Sequence, residues 1–140
     1  MFMKMNSMIN NFSVVIPVFN EEEIFLESAD KIFNICQEMN MPFEIIFSEN
    51  GSMDNTKNLI QSFIEDKDNC FTINSNYANY GLALKNGFEI AKNDVVISFD
   101  IDYFSKKFLK QSLELDEDFV ALVASKRLNE SEDERTFIRK

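Results

Sequence analysis

The 140-residue sequence has no histidine, only three glycines and two prolines, and only two cysteines. Without histidine there can be no Ser-His or Cys-His nucleophile pair, no His-ligated zinc and no imidazole general base. The glycines are Gly51, Gly81 and Gly87. No two stand two apart, which excludes a G-x-G-x-x-G dinucleotide loop. None precedes a lysine, which excludes a G-x-x-x-x-G-K phosphate loop. Cys36 and Cys70 lie far apart with no C-x-x-C, the usage expected of reduced core thiols in the cytosol. Basic residues are also scarce, 14 against 24 acidic, for a net charge of −10. A nucleic-acid binder needs a basic face that this chain lacks, and the same charge disfavours unaided adsorption to an anionic membrane. No apolar run approaches the roughly 20 residues of a membrane span. Residues 1–11 contain no apolar stretch of about 7–15 residues before a small-residue cleavage site, so no secretory signal is read there.

What is present is enough for a core. The length suits one domain of about 100–150 residues, and a chain of this size buries about two-thirds of its unfolded surface. Hydrophobic residues make up 45% of the chain, fifteen of them Phe, and these supply the interior.

Periodicity alternates along the chain. Phe12–Phe19 is a short β-branched and apolar run, read as a buried strand. Glu22–Met39 carries Phe25, Ala29, Ile32, Phe33 and Cys36 on one helical stripe. Glu21, Glu22 and Glu23 are placed in its first turn, where the helix dipole favours anions. Phe43–Ser48 reads as a second strand. Asp54–Ile64 reads as a helix with Leu59, Ile60, Phe63 and Ile64 inward. Cys70–Asn74 is a weaker strand, followed by a helix over Leu82–Lys92 with Ala83, Gly87 and Ile90 on one face. Asp94–Phe99 is the clearest strand, Ser105–Leu115 a helix, and Phe119–Ala124 a fifth strand. A further helix is expected near Thr136. Strands alternating with helices, each strand nearly continuous in apolar residues, predict an α/β fold: a mostly parallel sheet with helices on both faces and right-handed crossovers. Ligands of such sheets bind beyond the carboxyl ends of the strands. The loops after Phe19, Ser48, Asn74, Phe99 and Ala124 are therefore the places for chemistry.

The strand ending at Phe99 runs into Asp100-Ile101-Asp102. Two carboxylates two residues apart can hold a hard divalent cation, with its other ligands from water and substrate phosphates. Two further triplets, Asp66-Lys67-Asp68 and Asp116-Glu117-Asp118, follow no apolar strand and read as solvated loops. Taken alone, Ser48-Glu49-Asn50-Gly51-Ser52-Met53-Asp54 is equally a glycine turn and helix cap. In the tail, Lys126, Arg127, Arg135, Arg139 and Lys140 alternate with acids, the pattern of a solvated face.

Together these segments resemble the family 2 glycosyltransferases of GT-A fold, in particular the branch that makes dolichyl- or polyprenyl-phosphate sugars. Ser13–Glu22 resembles the opening strand ending P-x-Y-N-E, and Glu44–Thr56 is similar to the E-I-I-x-x-D-D-G-S-x-D-x-T segment. Gly81–Phe88 resembles the G-x-A-L-x-x-G-F helix, Asp94–Asp102 the strand ending in the metal-binding D-x-D. Ala124–Arg127 with Arg135 and Arg139 is similar to a G-S-R…R-S-x-x-R stretch. The blocks occur in family order over about residues 12–139, after an N-terminal extension of residues 1–11.

The resemblance implies a Rossmann-like nucleotide-sugar-binding sandwich and a metal-dependent, inverting transfer of a hexose. The donor would be a UDP- or GDP-sugar, the metal Mg²⁺ or Mn²⁺, and the acceptor a polyprenyl or dolichyl phosphate or a glycan. Pro17, Phe19, Glu21, Ser48 and Asn50 would frame the nucleotide, with Asn50 where the family has a base- or ribose-contacting Asp. Asp100 and Asp102 would hold the metal on the diphosphate, Lys126 would meet phosphate in place of an Arg, and Arg135 would clamp an acceptor phosphate. A phosphate acceptor suits a chain without histidine, because its oxygen is already anionic and needs no general base.

The sequence also departs from the family. Glu49-Asn50 replaces an Asp pair, Phe19 a Tyr, and Phe104 stands where a small or polar residue is common. The resemblance further implies that the chain stops before the acceptor-binding part, and before the membrane helices some relatives carry. A cytoplasmic location, peripheral at the membrane face, follows as an expectation. So does association through an open edge at strand five, as a homo-oligomer or with a partner that completes the fold. The competing reading is a non-catalytic nucleotide-binding or interaction module. A nucleotidyltransferase of related fold is disfavoured because three glycines cannot make its Gly-rich loop.

Overall fold

The structure, a computed structural model, describes residues 9–93 and 95–115 together with strands Ala121–Val123 and Phe137–Arg139. The chain divides into two units, Asn11–Phe104 and a second made of Met1–Asn10 with Ser105–Lys140.

The first unit runs β1 (Phe12–Val18), α1 (Phe25–Gln37), β2 (Phe43–Glu49), α2 (Thr56–Ile64), β3 (Cys70–Asn74), α3 (Tyr80–Ile90) and β4 (Val96–Ser98). Its four strands form one parallel sheet in the order β3-β2-β1-β4. This is the expected α/β architecture. The chain steps outward from β1 to β3, then returns across the sheet to place β4 on the other side of β1. Crossovers of one hand must switch faces when the stepping direction reverses, and the packing follows that rule. Phe47 of β2 meets Phe25 of α1 and Phe63 of α2 edge-on, at centroid distances of 5.2 and 5.7 Å. The neighbouring residue Ser48 points to the opposite face, where its hydroxyl donates to the Ala83 carbonyl of α3 at 2.6 Å. Val15 shares that second face, and a methyl built on Gly87 of α3 would overlap its Cγ1. Gly87 is therefore where helix and sheet approach most closely.

The core is aromatic on the first face. Phe25, Phe47 and Phe63 form a closed triangle of edge-to-face contacts, each worth about 0.5–1.5 kcal/mol beyond the area buried. On the second face, the amino edge of the sheet is closed by a buried polar knot. Glu44 accepts from the Ser13 hydroxyl and the Lys92 amide, both at 2.6 Å. Asn93 donates through its side chain to the Phe12 carbonyl at 2.7 Å. The knot fixes the turn from α3 into β4.

Several boundaries differ from the sequence reading. Regular helix begins at Phe25, and Glu21–Glu23 form the turn ahead of it rather than its first turn; Glu27 is the acid in that turn. In α2, Ile60 and Phe63 are buried as expected, Thr56 joins them, and Leu59 and Ile64 are half-buried. Helix α3 starts two residues early because Asn79 caps it, accepting from Leu82 N at 3.0 Å. Ile90, expected inward, is exposed. The strand that looked clearest is among the shortest. Among the described residues β4 pairs with β1 alone, at the edge of the sheet, though ladder bonds from Ser13 N to Val95 O and from Phe99 N to Val15 O extend it.

In the second unit, α4 (Lys106–Leu113) is capped by Ser105, whose hydroxyl accepts from Phe108 N at 3.1 Å. The fifth strand is β5 (Ala121–Val123), which does not continue the parallel sheet. It pairs antiparallel with β6 (Phe137–Arg139) in a separate two-stranded sheet. The helix expected near Thr136 is thus corrected: Phe-Ile-Arg is aromatic and β-branched and takes the strand instead. The edges of the parallel sheet are β3 and β4 rather than strand five. Among the described residues no helix is long and apolar enough to cross a membrane.

Candidate functional site

The loops leaving the carboxyl ends of β1 and β2 are tied into one body. Asn20 takes a positive φ of 51°, which turns the chain sharply as it leaves β1. Its N–H donates to Ser52 Oγ at 3.0 Å, and its Oδ1 accepts from Met53 N at 2.8 Å. Glu21 N donates to Thr56 Oγ1 at 2.9 Å, Glu22 N to Asp54 Oδ2 at 3.2 Å, and Glu22 Oε2 accepts from Asn55 N at 2.8 Å. Short polar side chains on one loop thus satisfy backbone donors on the other, which is why neither loop needs regular structure to hold its shape.

Beneath them lies Glu49, the last residue of β2, with no solvent exposure. Its Oε1 accepts from Ser52 N in a short hydrogen bond. Its Oε2 has no hydrogen-bond partner but lies 3.5 Å from Lys57 Nζ, so the charge is offset by attraction rather than by a directed bond. Gly51 follows with φ of 78° and packs against the backbone of Tyr77. Asn50 is buried, and its Oδ1 accepts from Asn79 N at 2.6 Å, tying the β2 loop to the start of α3.

Asp100 and Asp102 occupy a turn at the end of β4. Tyr103 N donates to the Asp100 carbonyl at 3.1 Å, closing the turn, and Ile101 between the acids is buried as its anchor. Phe99 and Phe104 flank the turn with ring centroids 4.2 Å apart. The unusual Phe104 therefore has a packing role. Asp100 is half-buried and its Oδ1 accepts from the Tyr80 hydroxyl at 2.9 Å. Asp102 is exposed.

The two sides of the switch point, after β1 and after β4, meet electrostatically. Burial, then the negative charge of Asp102, then that of Asp54, holds the Glu21 carboxyl above the usual Glu range. Burial pulls the Asp54 carboxyl upward as well. Hydrogen bonds from the Thr56 hydroxyl and amide and from Glu22 N outweigh it and leave Asp54 below the usual Asp range. The site gathers carboxylates from three loops. Among the described residues no group of three or more His, Cys, Asp and Glu is arranged to hold a metal ion by itself. A hard cation here would have Asp100 and Asp102 from the chain, with the rest of its shell from water or phosphate.

The residues singled out in the sequence fall in different places. Glu21, Asn50, Asp100 and Asp102 stand at the carboxyl edge of the sheet. Phe19 stands there too and is 42% exposed, enough to offer its ring to a ligand. Pro17 and Ser48 lie within β1 and β2, paired in register and buried, with the Ser48 hydroxyl taken by Ala83; they can support a ligand only from beneath. Lys126 and Arg135 lie outside the described residues, as do Ser125, Arg127 and the triplet Asp116–Asp118. Asp66 is a solvated turn residue bonded to Lys67 Nζ at 2.7 Å. The sequence reading assigned no site role to Tyr80, Asn79, Ser52 or Glu49, although it read Ser52 as part of a turn and Glu49 as half of a replaced Asp pair. Asn79 carried a usable signal, an Asn just ahead of a helical stripe. Tyr80 carried none, because its partner is twenty residues away.

Comparison with known proteins accords with this arrangement. The signature of Glycosyl transferase family 2 matches residues 13–140. The undecaprenyl-phosphate 4-deoxy-4-formamido-L-arabinose transferase of Proteus mirabilis is 34% identical over 97 residues, covering 67% of this chain and 29% of that protein. The protein of the same name from Pseudomonas fluorescens is 36% identical over 93 residues, covering 64% and 27%. The chain thus spans less than a third of the length of these curated relatives. The crystal structure of S. aureus TarS superimposes with a TM-score of 0.58 at 23% identity, over 73% of this chain and 18% of that one, a likeness of fold. With the signature running from the start of β1 to the last residue, this chain belongs to glycosyl transferase family 2.

Proposed function

We propose that this chain supplies the donor-binding part of a glycosyltransferase that moves a hexose from a UDP- or GDP-sugar to a polyprenyl phosphate, with inversion. The observation that carries the reading is the Asp100–Asp102 turn at the end of β4, at the topological switch point where β4 lies beside β1. The acceptor class is supported by the names of the relatives, which are undecaprenyl-phosphate sugar transferases.

The donor set fits Mg²⁺ or Mn²⁺. Asp100 and Asp102 offer hard oxygen ligands in one turn, and burial, followed by the charges of Asp102 and Asp54, raises the Glu21 carboxyl. Such a cation, when bound, supplies Lewis-acid stabilisation of the diphosphate as it leaves. The rest falls to the chain. Phe19, Glu21 and Asn50 frame the nucleotide, while Pro17 and Ser48 hold the strand ends beneath it. The phosphate-binding roles that the family resemblance gives Lys126 and Arg135 fall on residues outside the described ones. The acceptor phosphate oxygen attacks the anomeric carbon as the bond from that carbon to the donor phosphate breaks, so the nucleoside diphosphate departs from the opposite face. The nucleophile is already an anion, so no side chain has to remove a proton from it.

Isothermal titration with UDP, UDP-glucose, GDP and GDP-mannose, with and without Mn²⁺, tests this. Metal-dependent binding that disappears in Asp102→Ala is expected, and its absence in the native chain overturns the proposal. A second reading, a nucleotide-binding module without turnover, is favoured by Asn50, an amide where the family has a carboxylate. It predicts the same binding but no transfer of hexose to polyprenyl phosphate.

A further inference from the structure

Resting on the metal reading above, we propose that Tyr80 is a positioning residue for Asp100 and, through it, for the divalent cation. The Tyr80 hydroxyl donates to Asp100 Oδ1 at 2.9 Å. That bond joins two elements that are otherwise remote in sequence, the first residue of α3 and the turn after β4.

The donor end is firmly mounted. Asn79, just ahead of Tyr80, caps α3 through Leu82 N and is itself held by Asn50 Oδ1 at 2.6 Å. One turn further on, the Ala83 carbonyl accepts from Ser48 in the sheet at 2.6 Å, and Gly87 lets the helix lie directly on Val15. The phenol therefore stands on a helix whose place is set by the sheet, although its ring is 54% exposed. The Asp100 carboxylate turns about a terminal torsion that is broad. A hydrogen bond to one of its oxygens restrains that torsion, and so bears on how this acid faces a cation. A phenol is suited to the task because it donates one hydrogen bond and brings no positive charge to compete with the metal. Tyr80 thus acts on the metal only through Asp100.

The test is Mn²⁺ binding to the chain in the presence of UDP, read from loss of the free Mn²⁺ signal in electron paramagnetic resonance. Tyr80→Phe keeps the ring and removes the donor. It should weaken Mn²⁺ binding about 10–100-fold, the usual effect of losing a hydrogen bond to a metal ligand, with the thermal midpoint unmoved. Tyr77→Phe removes a comparably exposed phenol three residues earlier, in the loop ahead of α3, and should leave Mn²⁺ binding as it was. Unchanged affinity in Tyr80→Phe, or an equal loss in Tyr77→Phe, overturns the assignment while leaving the proposed function standing. If the native chain binds no Mn²⁺ at this site, judged against Asp102→Ala, both fall together.

Discussion

The three glycines allow a severe test of the packing, because the structure assigns each a different reason. At Gly51, φ of 78° lies in the left-handed region, which costs an alanine about 1–2 kcal/mol. A Cβ there would also fall 2.7 Å from the Tyr77 carbonyl carbon, 2.9 Å from its Cα and 3.0 Å from Ala78 N. All three are backbone atoms, in a loop pinned by the Asn50–Asn79 hydrogen bond, so the neighbour cannot swing aside. Overpacking of this kind costs about 1–3 kcal/mol. Gly51→Ala should therefore lose about 2–5 kcal/mol in all, a large share of the 5–15 kcal/mol typical of a domain (about that range). At Gly87 the obstacle is the side chain of buried Val15, and alanine restores up to about 1 kcal/mol of helix propensity. The net loss there should be about 0–2 kcal/mol. At Gly81 the nearest atom to a new Cβ is Asn79 Oδ1 at 3.7 Å, an ordinary contact, so alanine should be neutral or stabilise by up to about 1 kcal/mol. Urea unfolding followed by far-UV circular dichroism reads all three with a common slope. Gly81→Ala is required to be the least damaging of the three. A Gly51→Ala midpoint equal to that of Gly81→Ala would refute the loop geometry.

Three other outcomes follow from the buried and charged groups. Burial pushes both the Cys36 and Cys70 thiols up to about 12, so a thiol reagent at pH 8 should label neither until the chain unfolds; rapid native labelling would contradict their burial. Glu49→Ala leaves the Ser52 amide without its buried acceptor and opens a cavity, and should cost about 2–4 kcal/mol by urea unfolding, against a refuting value under about 1 kcal/mol. For Glu21 the folded carboxyl titrates above its unfolded value, so its ionised form opposes folding at neutral pH and protonation relieves that strain as pH falls through the folded value. Glu21→Gln should accordingly raise the thermal midpoint at pH 7, with the gain fading as the pH drops toward and below the ordinary Glu range; a gain that persists at low pH would point to a cause other than charge.

The fold was legible because burial writes itself into local pattern. β1 and β2 are enclosed on both faces and read as largely apolar runs, and the stripe of α1 survives in Phe25, Ala29, Ile32 and Cys36. What misled was the assumption that an apolar run measures its own pairing. Asp94–Phe99 looked the best strand, yet among the described residues β4 has one neighbour, β1. Phe119–Ala124 looked like a fifth member of the sheet, yet β5 finds its partner in β6. Strand pairing is a property of the partner as much as of the segment, and no single segment carries it. The place of Asp100 and Asp102 at the carboxyl edge of the sheet was legible because they follow a strand. Tyr80 and Glu49 were not, because their significance lies in what they touch.

The turn chemistry and the site chemistry prove to be the same residues seen twice. Asn20, Ser52, Asp54 and Thr56 are ordinary turn and cap residues by type, and each forms such a local or cross-loop bond in the structure. Those bonds also carry Glu21 to the place where it feels Asp102. A ligand arriving at this edge would therefore meet loops already cross-tied, with little ordering left to do after binding. Loops held this way lose little conformational entropy on binding, and the mutual repulsion of their carboxylates favours a cation over a second anion arriving alone. The reading of the loops as turns and the proposed reading of them as a site are compatible, since the turn bonds are what would hold such a site in shape.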